Sequence, residues 1–209
     1  MQDAPQSNVQ AVADFFGGLP SRVSVSEFQA FYRSRPEGEK WELLDGEVMQ
    51  MMSPPSRVHQ RIAKNVALAL DRSIERNGLA WEADREIGVA TPETADFNPE
   101  PDVVVVDRDI TGDAYFADRF LVVAEVLSSS DTRDVLDRKT AFYQAHPQCV
   151  AILYVSQSEM SLALQTRGPD GWSTREINDP TAAISLPALD YVGDLADFYR
   201  HTPLADAGT

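Results

Sequence analysis

FLVVAEVLSSSDTRDVLDRKTAFY, residues 120–143, reads as a buried strand that runs directly into an amphipathic helix. The strand carries one acid, Glu125, among apolar residues. In the helix, Val135, Leu136, Phe142, Tyr143 and His146 recur at spacings of three, four and seven, and Lys139 falls between them. A lysine at that position points at the sheet rather than at water. A buried ammonium is costly unless it is paired, so acids are expected beneath it.

The second acid lies upstream. EPDVVVVDRD, residues 100–109, is another apolar strand, with Asp102 at its mouth. Thr111-Gly112-Asp113 is the turn signal between the two strands. Folding the chain back near residue 113 makes the strands antiparallel and leaves Asp102 and Glu125 roughly equidistant from the turn. They then meet at one end of the sheet and on one face. A one-residue slip in register would turn one carboxylate to the other side. The helix of Lys139 starts at that same end, so three distant positions converge.

Working outward, Ser24-Val-Ser-Glu27 is a capping-box signature that opens a short helix through about Arg33. WELLDGEVMQMM, residues 41–52, is strand, tight Asp45-Gly46 turn, strand. A long helix follows from about Ser56 to Arg76 and stops at Asn77-Gly78. His59, Ile62, Ala63, Val66, Leu70 and Ile74 form its core stripe. Arg57, Arg61, Lys64, Arg72 and Arg76 form a basic stripe. Residues 79–90 read as one strand, 148–157 as a buried strand, and 160–177 as an exposed hairpin turning at Gly168–Gly171. A closing segment is expected to pack Leu186, Leu189, Val192, Leu195 and Phe198. Residues 1–20, with a short turn at Val12–Phe16, and the tail after Thr202 are expected to be loosely ordered. Without these additions the order is αβββαβ, an α/β fold with a mixed central sheet flanked by helices. An N-terminal helix and hairpin precede that core, and a C-terminal hairpin extends it.

The bulk numbers narrow the class. A chain of 209 residues suits a single domain over 1–209, with 22–200 as its folded part. No apolar run reaches the length of a membrane span and no signal peptide opens the chain, so a cytoplasmic protein without membrane contact is expected. The lone Cys149 excludes a disulfide framework and a thiolate metal site. A net charge of −15 counts against nonspecific nucleic-acid binding, although the basic stripe shows that charge is unevenly spread.

Two close carboxylates repel unless a proton or a cation sits between them. An oxygen-rich pair with room for water suits Mg²⁺ or Mn²⁺. With a lysine beside the attacking water, these parts support metal-assisted hydrolysis of a phosphodiester.

Pro101-Asp102, Glu125 and a lysine, in this order, resemble the PD-(D/E)XK nuclease superfamily. More closely, the chain resembles the Uma-two family of bacterial endonuclease-like proteins, which has a restriction-endonuclease-like fold. The matching segments are WELLDGEV, SPPSRVHQRIAKNVALAL, EPDVVVVD, VVAEVLSSSD and DRKTAFY, spread over about residues 24–200. The resemblance implies Asp102 and Glu125 as metal ligands and Lys139 as the catalytic lysine. It also implies site roles for Glu42 and His59, and DNA as substrate. The superfamily's lysine two residues after the acid is Leu127 here, a departure shared with the Uma-two pattern. The family's usual Asp four residues before the helix lysine is Val135 here; Asp134 is one residue off and Asp137 faces away. Superfamily members that cut both strands often pair, which leaves a homodimer open. The alternative is a nuclease-fold protein without activity that serves as a binding or regulatory module.

Overall fold

The computed structural model of the protein describes residues 4–36, 38–50, 55–91, 94–110, 115–129 and 131–206. Its contacts group into two units, residues 1–54 with 90–100, and residues 55–89 with 101–209. In the first unit, helix α1 spans Ala4–Phe16 and α2 spans Val25–Arg33. Ser24 caps α2 with the reciprocal Glu27 contact that the sequence signature predicts. Strands β1, Trp41–Leu44, and β2, Glu47–Gln50, form a hairpin. Its turn residues Asp45 and Gly46 both have positive φ, 52° and 79°, as a tight turn of this hand requires. β1 is buried along its whole length, and Trp41 meets Phe31 edge-on at 4.9 Å.

In the second unit, α3 spans Arg57–Arg76, with Ser56 accepting from the His59 N–H as its cap. There follow β3, Trp81–Asp84; β4, Gly88–Val89; β5, Val103–Asp107; β6, Phe116–Ala117; and β7, Phe120–Leu127. Helix α4, Arg133–Ala145, leads to β8, Ala151–Ser156, and then to β9, Leu162–Gly168, and β10, Gly171–Ile177. The central sheet has the order β10-β9-β8-β7-β5-β3. Within this sheet the described pairings are antiparallel except that of β7 with β8, and α4 is the crossover that allows it. The chain closes with β11, Ala183–Leu186; β12, Tyr191–Asp194; and short helices α5, Leu195–Phe198, and α6, Pro203–Asp206.

Strand alternation sorts the two faces. Val103, Val105, Val122, Ala124 and Val126 join the apolar stripe of α3 in one core. The intervening residues, Glu125 among them, face the other way. There Phe120 stacks on Phe142 and His146. β5 and β7 place Val103 opposite Ala124 and Val104 opposite Val123. One step further along this register sets Asp102 against Glu125. The expected αβββαβ core is present, with a mixed six-stranded sheet.

Several expectations need correction. The turn at Val12–Phe16 is the end of a 13-residue helix, held where Phe15 and Phe16 pack on Phe31. Residues 79–90 are two strands, because Glu86 adopts a left-handed φ of 61° between them. The 160–177 hairpin extends the fold as expected, through the β9–β8 pairing, but only its β10 strand is largely exposed, since Leu162 and Leu164 of β9 are buried. Val192 is 72% exposed: alternation in β12 turns Tyr191 inward and Val192 out. After Thr202 the chain makes one more helical turn. Met51, Met52 and the Thr111-Gly112-Asp113 turn lie outside the described residues.

Candidate active site

The end of the sheet where β5 begins and β7 finishes gathers four of the expected residues, all in the second unit. Asp102 is engaged on both oxygens. With the proton on Nε2, His59 donates to Oδ1 at 2.8 Å, and the Val126 backbone N–H donates to Oδ2 at 2.8 Å. His59 reaches this point because it lies in the first turn of α3, directly after the Ser56 cap. It is half-buried at the end of the helix's apolar stripe, and its contact is polar.

Glu125 and Lys139 are both nearly buried, at 6% and 5% exposure. Lys139 Nζ lies 3.3 Å from Glu125 Oε1. Tyr143, one helical turn further along α4, donates its hydroxyl to the same oxygen at 2.7 Å. Residues four apart on a helix share a face, so α4 presents two donors to one carboxylate oxygen. A buried carboxylate keeps its charge only with such compensation. The neighbouring strand supplies Tyr154, whose hydroxyl bonds that of Thr140 on α4. Burial pushes the Tyr154 phenol up to about 12, so it remains a neutral donor at ordinary pH.

The remaining expected residue, Glu42, belongs to the first unit. It is buried in β1, and its Oε1 accepts the Glu100 backbone N–H at 2.8 Å. Of the two acids near Lys139 in sequence, Asp134 is exposed and pairs with Arg138, and Asp137 is exposed near Arg133. Neither contributes to the buried cluster.

Tyr143 and the Val126 amide are participants that the sequence reading missed. A tyrosine at core spacing reads as packing, and a backbone amide leaves no signal at all. The available sign for Tyr143 was its place four residues after a lysine already directed at the sheet.

Taken together, two carboxylates stand at adjoining strand positions, each oriented by donors from a different helix. An ammonium is held beside the more buried one. Asp102, with 20% of its side chain exposed, is the more accessible of the two acids. Carboxylates and an ammonium so arranged have the chemistry to bind a hard cation or a phosphoryl oxygen.

A family model described as Uma2, "Putative restriction endonuclease", matches residues 25–195. A solved structure described as "a putative nuclease belonging to DUF820 from Anabaena variabilis ATCC 29413" is similar in fold, with a TM-score of 0.66 at 14% identity. The match covers 85% of this chain and 97% of that one. Comparison with curated proteins gives no match.

Proposed function

The chain belongs to the Uma2 family, and from that premise we propose that it is a metal-dependent endonuclease that hydrolyses phosphodiester bonds in DNA. Asp102 and Glu125 hold Mg²⁺ or Mn²⁺, and Lys139 assists the attacking water. The observation that carries this reading is the buried Lys139–Glu125 pair at the strand end that also bears Asp102.

The donor set fits the ion. Both ligands are carboxylates, and magnesium commonly takes one or two of these, its other positions going to water and substrate phosphate. Among the described residues no three His, Cys, Asp or Glu side chains gather into a cage, and an ion completed by substrate needs none. When bound, the ion polarises the phosphoryl oxygen and acidifies a water.

The side chains then divide the work. His59 and the Val126 amide fix the two oxygens of Asp102, so its carboxylate is oriented before substrate arrives. Tyr143 does the same for Glu125. In this reading the Lys139 ammonium offsets the charge that grows on the attacking and phosphoryl oxygens, an effect that its low exposure strengthens. For Glu42 we assign a part in the reaction on the family pattern alone.

Nicking of supercoiled DNA in Mg²⁺ or Mn²⁺ tests the proposal. Wild type is expected to cut. Asp102→Ala should be inactive, and Lys139→Ala should be slowed by about 10²–10³-fold. Absence of metal-dependent cutting, or equal cutting by both variants, sinks the enzyme and leaves a nuclease-fold binding module.

A further inference from the structure

Helix α3 borders a cleft of about 450 Å³ on the side away from the sheet, closed by β12 and the residues after α5. Its cations are Arg61, Lys64, Arg72, Arg76 and Arg200, with His201 beside them. The four on α3 are exposed, and among the described residues none of them forms an ion pair. By contrast Arg22, Arg119 and Arg138 each pair with an aspartate. In a chain of net charge −15, four unneutralised cations on one helix face concentrate positive potential locally. The one acid in the cleft wall, Asp197, lies 3.7 Å from Arg200 and not within ion-pair distance of the α3 cations.

The cleft is built rather than incidental. Asn65 donates to the carbonyls of Phe198 and Arg200, and Ser73 donates to that of Asp190, which docks the closing segment along α3. Tyr191 lines the wall at 5% exposure, and its hydroxyl has no hydrogen-bond partner among the described residues. Gly193 packs over that hydroxyl so closely that a Cβ would lie 2.8 Å from Tyr191 Cζ. Small, donor-rich walls beside unpaired arginines suit phosphate oxygens.

We propose that this cleft binds the phosphate backbone of the nucleic-acid substrate remote from the point of cleavage, an inference that takes the identity of its ligand from the nuclease reading above. Spacing favours a strand over a single phosphate ester. His59 and Arg72 are 13 residues apart on one helix, about 20 Å, or roughly six base-pair steps of duplex. One end of α3 therefore orients Asp102 while the other end holds the strand's continuation.

The test is fluorescence anisotropy of a labelled DNA duplex in EDTA, in the Asp102→Ala background, over a range of salt. Arg72→Gln with Arg76→Gln should weaken binding by on the order of ten-fold and lower the slope of log K against log salt by about 2. Arg133→Gln with Arg175→Gln removes the same charge outside the cleft and should leave the slope nearly unchanged. Equal effects of the two pairs, or no effect of the cleft pair on a protein with unaltered circular dichroism, overturn the proposal. So does loss of inorganic pyrophosphate binding in the cleft pair while duplex affinity holds, which would make the cleft a small-anion pocket. Because binding is read without metal, a wild-type protein that binds through the cleft and never cuts defeats the nuclease reading alone. One that cuts with the cleft pair's binding unchanged defeats this proposal alone.

Discussion

Tyr143 donates its hydroxyl to Glu125 Oε1 at 2.7 Å, on the same oxygen that Lys139 reaches from one turn earlier in α4. Tyr143→Phe keeps the ring and its contacts with Phe120 and Phe142 while deleting that donor. The expected loss is about 1.5–3 kcal/mol of stability, as for a hydrogen bond to a buried charged group. Urea unfolding with unchanged m-value measures it. A loss under about 0.5 kcal/mol would mean that the bond contributes little.

The Lys139–Glu125 pair makes a sharper prediction. Removing one buried partner strands the other, so Lys139→Met alone should cost about 3–5 kcal/mol. Lys139→Met combined with Glu125→Gln should cost less than Lys139→Met alone, because no uncompensated charge remains. A double-mutant cycle by denaturant unfolding checks this, and simple additivity would refute the coupling. The double variant also separates lost chemistry from lost folding in cleavage assays.

Alkaline pH should weaken the fold through buried thiol and phenol groups, with Tyr191 and Tyr199 also raised by burial alongside Cys149 and Tyr154. Burial lifts the Cys149 thiol and the Tyr154 phenol each to about 12. Unfolded, they titrate near 8.5–9 and 10. Between those values and 12 the folded chain holds protons that the unfolded chain has released. Stability therefore falls as pH rises, by up to about 1.4 kcal/mol per pH unit for each group. Urea midpoints from about pH 8 to 11 should decline, and Cys149→Ala should flatten the first part of the decline. A flat profile in wild type would contradict the burial of these groups.

Gly46 occupies a left-handed position, φ 79°, in the β1–β2 turn, and a Cβ there would collide with the Arg22 side chain. Gly46→Ala should cost about 1–3 kcal/mol from backbone strain alone. The chemical-denaturation midpoint reads it, and a neutral result would show that the turn can rearrange.

Much of this geometry was readable from residue order. Asp102 and Glu125 oppose each other because an antiparallel pair fixes the sum of partner numbers, and the register holds that sum from Val103 to Val105. The burial of Lys139 against an acid was legible because an ammonium at apolar spacing needs a paired carboxylate beneath it. What stayed hidden was non-local or ambiguous. The Glu42 carboxylate's bond to the Glu100 amide spans 58 residues. The β11–β12 ribbon looked like a single packed segment, since its reversal rests on Asp190 in a left-handed conformation, φ 49°. Likewise the break at Glu86 depends on one backbone angle, to which hydrophobic alternation is blind.

The cluster's contacts close very unequal loops. Lys139 and Glu125 are 14 residues apart, whereas His59 and Asp102 are 43 apart. Short loops close readily and long ones more slowly. Order along the chain runs the other way, since a chain that ends before α4 contains both His59 and Asp102 but not Lys139. The cluster of His59, Asp102, Glu125 and Lys139 is complete only after both closures, so the cleavage proposed above is expected only of chains that extend through α4.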